Sequence, residues 1–437
     1  MLKIKRVPTV VSNYQEDNIS ESASGCGRNC LGKCCLPVSR LSLYAFKIQT
    51  EDPIKGGNVN SSEEQPPISF LHNLLLGKWE DRMSRGLFRY DVTTYETKIL
   101  HCKYGFIAQL NEGRHQKKRP TEFRVDQVLQ PFDDNKFNFT KVGQEEVLFR
   151  FEPNNDESYF CPSAEVASDL QSPSVVVINV SPIEYGHVLL IPRVLNCLSQ
   201  RIDPESLLLA LHLAKEAADP FFRVGYNSLG AFATINHLHF QAYYLAVPFP
   251  VEKAPSQRII AKKGPHNKGV IVSQLFYYPV QGLVFEGGNT IRDLSDVVAS
   301  SCICLQNNNI PFNILISDCG KKIFLFPQCF AEKQALGEVS QDILDTLVNP
   351  AVWEISGHIV LKRRKDFDDA SEAYAWRLLS EVSLSEDRFQ EVKACILEAA
   401  GLQEANVENT LNKEESLYKL PAGRAAPHLP RDCLVHQ

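Results

Sequence analysis

Two short apolar runs joined by a turn-rich hexapeptide most constrain what this chain can fold into. "SVVVINV" at residues 174–180 and "HVLLIPR" at residues 187–193 flank "SPIEYG", which predicts an antiparallel hairpin. Asp203 and Pro204 then open "DPESLLLALHLAKEAA", where Asp is a good helix N-cap and Pro suits the first helical position. A glycine-containing loop, "GYNSLGAFAT", and the segment "INHLHFQAYY" follow. The order strand, strand, helix, loop, strand predicts an α+β unit built on an antiparallel sheet.

A fainter version of the same unit occurs downstream. "PFNILISDCGKKIFLFPQ" at residues 311–328 has two apolar runs around a "DCGKK" turn and ends in Phe-Pro, as the first hairpin ends in Ile-Pro. "AVWEISGHIVLKR" then supplies a strand with a single histidine, His358. We interpret this region as a degenerate repeat in which His358 is part of the scaffold.

Composition places the chain among soluble globular proteins. Of its 437 residues, 44% are hydrophobic, and the net charge of -6 argues against a general nucleic-acid binder. No apolar run reaches the roughly 18 residues of a membrane-spanning helix, and the basic start lacks the apolar core of a secretory signal. We therefore expect a soluble intracellular protein.

Both ends differ in composition from a compact body between them. Residues 1–65 are rich in Ser, Asn, Glu, Gly and Pro, and we predict a largely disordered extension there and a disordered tail at residues 402–437. Between them we predict a catalytic half at residues 66–250 and a degenerate half at residues 251–401.

Four cysteines crowd together in "GCGRNCLGKCC": Cys26, Cys30, Cys34 and Cys35. Four thiolates could hold a structural zinc ion, but zinc knuckles usually place two residues between paired cysteines, and here there are three. A flexible, redox-sensitive segment is the favoured interpretation.

The run "INHLHFQAYY" places two histidines and a glutamine at every second position. Alternate residues of a strand share a face, so His237, His239 and Gln241 are expected to point one way and the intervening apolar residues into the core. One imidazole offers a nucleophilic nitrogen, a second can fix its tautomer, and an amide can stabilise the group under attack. A half-exposed strand with incidental polar residues is the alternative.

The residues just before this strand suit an anion. Gly225 and Gly230 would let backbone amides approach a ligand closely, and the small side chains at neighbouring positions would leave further room for it. Asn227, Ser228 and Thr234 offer neutral hydrogen-bond donors for phosphate oxygens. Together with the histidines, they predict an anion site beside a nucleophile.

The segment "NVSPIEYGHVLLIPR", the helix, the Asn-Ser-Leu-Gly loop and "HLHFQ" together resemble the histidine-triad superfamily of nucleotide hydrolases and transferases. The His-x-His-x-Gln pattern is similar to the galactose-1-phosphate uridylyltransferase-like branch. Further motifs, including "GCGRNCLG", "LNEGRHQKKRPTEFRV" and "NPAVWEISGHIVLKR", resemble the plant GDP-L-galactose phosphorylase family from Met1 to about residue 395. This resemblance implies a histidine-triad-like antiparallel sheet with helices, in two tandem halves of which the second is degenerate.

The same resemblance implies a two-step nucleotidyl transfer with GDP-L-galactose and inorganic phosphate as small-molecule partners. His239 would attack the phosphorus next to guanosine, releasing hexose 1-phosphate, and phosphate would then take the guanylyl group as GDP. His237 would orient His239, while Gln241 would hydrogen-bond the phosphoryl oxygens of the intermediate. Asn227 and Thr234 fall where the superfamily places phosphate contacts.

Further positions follow from the resemblance. Asn179 stands where the hydrolases carry a ribose-binding aspartate, and an amide can still accept and donate hydrogen bonds there. His187 falls at a position close to the nucleophile. Gln241 replaces a third histidine and so removes a proton-transfer group, which should slow attack by water and leave phosphate as the preferred acceptor.

An acceptor phosphate carries two negative charges and needs cations beside it. Arg193, at the end of the first hairpin, is one candidate, and Lys141 is another. The basic run Arg114, Lys117, Lys118 and Arg119 is a third, for which a solvated charged loop is the alternative.

The resemblance also sets expectations about partners and place. We expect no metal, no cofactor, no nucleic-acid or membrane partner, and a homodimer. It implies a role in making L-ascorbate, in the cytosol, with the nucleus left open as a second location. A GDP-D-glucose phosphorylase and a non-catalytic, nucleotide-binding regulatory protein are the alternatives.

Overall fold

The computed structural model describes residues 41–48, 69–101, 103–112, 123–163, 172–259, 261–263 and 268–404. The cysteine cluster, the basic run at residues 114–119 and most of the two segments predicted to be disordered lie outside the described residues. Two short pieces of those segments form strands, Leu43–Lys47 and Leu402–Glu404. In the first piece, Tyr44 and Phe46 are buried in the main core.

The described strands are β1 (Leu43–Lys47), β2 (Thr97–Ile99), β3 (Ile107–Leu110), β4 (Val147–Asn154), β5 (Tyr159–Cys161), β6 (Val175–Ile178), β7 (Val188–Ile191), β8 (Phe222–Asn227), β9 (Phe240–Tyr244), β10 (Ser256–Arg258), β11 (Ala261–Lys263), β12 (Val270–Leu275), β13 (Leu283–Gly287), β14 (Phe312–Ser317), β15 (Lys322–Pro327), β16 (His358–Leu361) and β17 (Leu402–Glu404). The described α-helices are α1 (Phe70–Ser84), α2 (Pro204–Ala217), α3 (Ile291–Asn307), α4 (Phe330–Leu336), α5 (Gln341–Leu344), α6 (Val352–Ile355), α7 (Arg364–Asp368), α8 (Glu372–Ser380) and α9 (Glu386–Ala399). None of these helices is both long and apolar enough to cross a membrane.

The predicted hairpin and helix of the first half are confirmed. β6 and β7 pair antiparallel, with Val175 opposite Ile191. The helix α2 begins where the sequence predicts it, because the Asp203 side chain accepts the backbone N–H of Ser206 and Pro204 occupies the first turn. Most residues of α2 are buried, and such tertiary packing supplies most of the stability of a helix in a folded protein.

A single large sheet unites the two halves of the chain. Within the described residues its order is β10-β12-β13-β15-β14-β8-β9-β7-β6-β4-β1-β5. The succession β6, β7, α2, β8, β9 recurs as β12, β13, α3, β14, β15, and the two units meet where β8 pairs antiparallel with β14. The α+β class and the two tandem halves are therefore confirmed.

The structure corrects how the two halves correspond. The second hairpin, β14–β15, is equivalent to β8–β9, whereas the sequence suggested the first hairpin, β6–β7. The strand with His358, β16, lies outside the repeat, in a separate small sheet of order β16-β3-β2. Hairpins with apolar runs look alike locally, and only their sheet neighbours distinguish them.

The large sheet has an apolar core on each face. On β9, Phe240, Ala242 and Tyr244 enter the core shared with α1, α2, α3 and α9. Tyr243 points the other way, into a core built largely by the last third of the chain. Since alternate residues share a face, Gln241 points to the same side as Tyr243, towards the second half of the chain.

Gly357, between α6 and β16, fits closely against the segment that links the halves. It has φ +103°, and a Cβ there would lie 2.3 Å from Cγ of Pro250. We predict that Gly357→Ala lowers the free energy of unfolding by about 2–4 kcal/mol, because backbone strain and a steric clash add together. Urea denaturation measures this loss.

Gly337, which follows α4, provides the matched control. It also has positive φ, +72°, but no described atom lies within 4 Å of where its Cβ would be. Gly337→Ala should therefore cost about 1 kcal/mol from backbone strain alone. Equal losses in the two variants would show that the Pro250 contact has no energetic weight.

Candidate active site

A cavity of about 270 Å³ opens beside the central strands, with walls from both halves of the chain. One wall is apolar and includes Phe137, Phe139, Val142, Val177, Leu189 and Ile235, which belong to one small core. The opposite wall comes from the second half and includes Asn349, Trp353, Glu354 and Lys362. His239 and Gln241 lie in the lining as well. The cavity can therefore hold a flat apolar group on one side and a polar group on the other.

His239 lies just before β9 and is 6% exposed. Its ring Nδ1 is 2.8 Å from the backbone carbonyl oxygen of His237. A carbonyl oxygen can only accept, so Nδ1 carries the hydrogen, and in the neutral ring Nε2 is the basic nitrogen. This arrangement prepares Nε2 of His239 as a nucleophile.

The backbone of His239 is held by a residue that the sequence did not single out. The Gln200 side chain accepts the backbone N–H of His239 at 2.9 Å and donates to its carbonyl oxygen at 3.2 Å. Gln200 is 1% exposed, so these hydrogen bonds are shielded from water. On this side of His239, the Gln200 amide thus makes the two backbone hydrogen bonds that a neighbouring strand would otherwise make.

The sequence predicted that His237 and His239 share one face, but the His237 ring does not line the cavity with His239. The strand β9 begins only at Phe240, and the His237 ring is fully buried between Phe132 and Phe139. Its Nδ1 accepts the backbone N–H of Phe139 at 3.1 Å. Burial, followed by the nearby charge of His239, lowers the pKa of His237 to about 3. The ring is neutral at physiological pH, and His237 orients the His239 ring through its backbone carbonyl.

Gln241 lines the cavity from β9, where it lies opposite Gly225 of β8. Its Oε1 accepts a hydrogen bond from the Trp353 indole Nε1 at 3.3 Å. Because an indole N–H only donates, this contact identifies which end of the Gln241 amide is the oxygen. The amide nitrogen remains as a donor for a ligand.

Asn227, Thr234 and Asn179 also line the cavity, as predicted. The Asn227 side-chain oxygen accepts the N–H of Val352 at 3.0 Å and Nδ2 of Asn313 at 2.6 Å. The amide nitrogen of Asn227 is therefore the end that can serve a ligand. Asn179 Oδ1 accepts the backbone N–H of Ser181 at 3.0 Å, which leaves its amide nitrogen on the side of His187.

Three predicted substrate contacts do not line the cavity. Ser228 Oγ donates to the Leu229 carbonyl and accepts the N–H of Phe312. His187 is fully buried and accepts the N–H of Ile183 at Nδ1. These two side chains are used inside the fold, behind the site.

Arg193 is the third of these residues. Its guanidinium pairs with Asp203 at 2.8 Å and contacts Ser206 at the start of α2. Lys141, the other cation predicted within the described residues, donates to the backbone carbonyls of Asp134 and Lys136. Neither cation lines the cavity, because local hydrogen-bond partners hold both of them elsewhere.

Among the described residues, the cations that line the cavity are Arg89 and Lys362, which sequence reasoning missed. Lys362 follows β16, and its Nζ contacts the Leu347 carbonyl oxygen. The motif "NPAVWEISGHIVLKR" contains Lys362, Trp353 and Glu354, so the signal was present in a segment interpreted as scaffold. Within the described ranges, no cluster of three or more His, Cys, Asp or Glu side chains could hold a metal ion.

Comparison with known proteins places this site in a family. The description "GDPGP1-like, N-terminal domain" matches residues 70–243, and "GDPGP1-like, C-terminal domain" matches residues 250–403. This chain belongs to the GDPGP1-like family. Apart from β1 and the last residue of β9, the strands of the large sheet fall within the two matched regions, and the cavity draws residues from both.

Several GDPGP1-like relatives are similar along most of their length. GDP-L-galactose phosphorylase 1 of Arabidopsis thaliana is 64% identical over 422 residues, which cover 95% of this chain and 93% of the relative. GDP-L-galactose phosphorylase 2 of the same plant is 66% identical, with 92% and 91% coverage. GDP-D-glucose phosphorylase 1 of Homo sapiens is 33% identical, with 76% and 84% coverage. The resemblance to the plant family is confirmed.

The buried His237 ring makes stability depend on pH. Because its pKa is about 3 in the folded protein and near 6.5 in an unfolded chain, the unfolded state binds the proton first as the pH falls. We predict that the free energy of unfolding falls by about 1.4 kcal/mol per pH unit for this group below about pH 6.5. Urea denaturation between about pH 7 and about pH 5 measures this slope.

His237→Asn should remove, from the slope of unfolding free energy against pH, the contribution of the proton that His237 binds on unfolding. His212 provides an internal comparison, since burial, followed by the charges of Lys215 and Arg292, lowers its pKa to about 4. His212→Asn should flatten the slope in the same way, although His212 does not line the cavity. An unchanged slope in His237→Asn would mean that the His237 ring is accessible to protons in the folded protein.

Proposed function

We propose that this chain is a GDP-L-galactose phosphorylase, which converts GDP-L-galactose and phosphate into L-galactose 1-phosphate and GDP. The observation that carries the proposal is the 64% identity to the Arabidopsis enzyme over 95% of this chain and 93% of that enzyme. The activity belongs to the nucleotidyltransferases, and the arrangement around His239 supports it with a suitable nucleophile.

The proposed reaction has two displacements at one phosphorus atom. His239 Nε2 attacks the phosphorus next to guanosine, a P–N bond forms, and the bond to the bridging oxygen breaks, so that hexose 1-phosphate leaves. An oxygen of inorganic phosphate then attacks the same phosphorus, the P–N bond breaks, and GDP leaves. The nitrogen regains its lone pair, so the ring returns to the neutral tautomer that the His237 carbonyl selects.

The surroundings of His239 favour transfer to phosphate over transfer to water. The Gln241 amide can donate hydrogen bonds to phosphoryl oxygens but cannot remove a proton from water. Arg89 and Lys362 place two cationic side chains in a lining that also holds the carboxylates of Glu146 and Glu354, and these cations can contact the acceptor phosphate. The apolar wall around Phe137 and Phe139 offers a surface for the flat guanine base.

Pathway, place and assembly extend the proposal. We propose that the product L-galactose 1-phosphate serves L-ascorbate synthesis in the cytosol, and that the nucleus is a second location to be tested by microscopy of the tagged protein. A homodimer is part of the same proposal, and sedimentation of the purified protein tests it.

The covalent intermediate can be tested by intact mass spectrometry. Protein incubated with GDP-L-galactose without phosphate should gain the mass of one guanylyl group, and the adduct should disappear when phosphate is added. His239→Asn should form no adduct, while His101→Asn, which removes an exposed histidine, should behave as the wild type. Product formation without any adduct would contradict the two-step mechanism and indicate direct displacement by phosphate.

Competition between sugar nucleotides tests the substrate. We predict that GDP-L-galactose is used with kcat/KM at least about 10-fold above that for GDP-D-glucose, a difference of about 1.4 kcal/mol between transition states. Both substrates are mixed in one reaction and the two hexose 1-phosphates are separated and counted. A preference for GDP-D-glucose would assign the chain the activity of its animal relatives instead.

A further inference from the structure

Gln241 has a side chain that can act in two orientations. Its amide oxygen and amide nitrogen have nearly the same shape, so packing alone does not decide which end faces the cavity. Only the nitrogen end can donate hydrogen bonds to a phosphoryl oxygen. Some neighbour must therefore distinguish the two ends by hydrogen bonding.

Trp353 provides that distinction from the second half of the chain. Its indole Nε1 lies 3.3 Å from Gln241 Oε1, and the residue is 1% exposed. If the amide were reversed, its NH₂ group would face an N–H that cannot accept, and the hydrogen bond of this nearly buried indole would be lost. The buried indole thus favours one orientation of the amide.

The space for the indole is provided by the strand next to Gln241. Gly225 is the cross-strand partner of Gln241, and a Cβ at Gly225 would lie 3.0 Å from Trp353 Cη2 and 2.8 Å from Val352 Cγ1. The Trp353 ring also packs on Tyr243, with centroids 4.1 Å apart. The absence of a side chain at Gly225 lets Trp353 reach Gln241.

The short helix that carries Trp353 is anchored at both ends. At its start, the N–H of Val352 donates to Oδ1 of Asn227, a residue of the cavity wall. At its end, the Tyr278 hydroxyl donates to the Ile355 carbonyl at 2.8 Å. These contacts fix the indole relative to β8 and β9.

We propose that Trp353 is a positioning residue for guanylyl transfer, whose indole N–H holds the Gln241 oxygen away from the substrate and so aims the Gln241 amide donors at the phosphoryl group. The inference rests on the proposed function. The second half of the chain, which has no catalytic histidine, therefore decides which end of the Gln241 amide faces the substrate.

The first test is Trp353→Phe, which removes the N–H and keeps most of the ring. The single-turnover release of L-galactose 1-phosphate at saturating GDP-L-galactose should slow by roughly 3- to 10-fold, the effect of one neutral hydrogen bond. The KM for GDP-L-galactose should change less than about 2-fold, because the donor acts mainly on charge that develops in the transition state. Trp376→Phe is the matched control, since Trp376 packs at the edge of the same core without lining the cavity, and it should react at the wild-type rate.

A double-mutant cycle separates positioning from general support of the fold. In a Gln241→Ala background there is no amide to orient, so Trp353→Phe should cause no further slowing of the single turnover. If Trp353→Phe slows both backgrounds by the same factor, the indole acts through packing and the proposal is overturned. A wild-type rate in Trp353→Phe would overturn it as well.

Benzothienylalanine at position 353 removes the N–H and keeps the shape of the side chain, because it replaces the indole N–H with sulfur in a ring of nearly the same size. This variant decides the question even if Trp353→Phe folds poorly, and it should show the same roughly 3- to 10-fold loss. A wild-type rate in this variant overturns the proposal. If the wild-type protein is inactive on GDP-hexoses, the proposed function itself is refuted. That result differs from a wild-type rate in the position 353 variant, so failure of the inference and failure of the proposed function can be told apart.

Discussion

The side chain of Asn227 is the point on which the rest of the site depends. It lies at the end of β8, where the first half of the sheet pairs with β14 of the second half, and it is 4% exposed. Its oxygen accepts one hydrogen bond from Asn313 of the facing strand and one from the backbone of Val352. One amide thus joins the strands of the two halves, fixes the helix of the opposite wall, and keeps its nitrogen for the cavity. Unpaired, such a buried oxygen would cost roughly 1–3 kcal/mol, so the three elements are coupled energetically.

His239, the proposed nucleophile, is held mainly through backbone groups. Gln200 binds the backbone of His239 at both its N–H and its carbonyl, and the carbonyl of His237 binds the ring. The ring of His237 serves to place that carbonyl, by accepting the Phe139 N–H inside an aromatic pocket. The two alternating histidines of the motif therefore differ in placement: the His239 ring lines the cavity, and the His237 ring is buried in the structure.

Spacing and capping patterns in the sequence predicted the features that depend mainly on neighbouring residues. The hairpin β6–β7, the start of α2 at Asp203 and the inward direction of Leu238, Phe240 and Ala242 all follow from spacing and capping, and all are found. The placement of His239, Gln241, Asn227, Thr234 and Asn179 at one cavity was also predicted. The sequence predicted Arg193 beside the acceptor phosphate. Its guanidinium instead pairs with Asp203, the N-cap residue of α2, and this ion pair holds it away from the cavity. Spacing and capping did not mark Gln200, Trp353 or Lys362, because their positions at the site arise from contacts between residues far apart in sequence, which periodicity does not encode. For Trp353 and Lys362 the motif that contains them was the available signal.

Pairing β8 with β14 in the middle of the sheet has a consequence for assembly. A lone half would end in a six-residue strand whose backbone N–H and carbonyl groups invite another chain, and here the second half occupies that position. The outermost described strands, β5 and β10, are each three residues long, too short to template a further strand effectively. The tandem fold therefore behaves as an internal dimer, closed by a covalent link that makes its association independent of protein concentration. At these two described edges a second copy would find little backbone to pair with.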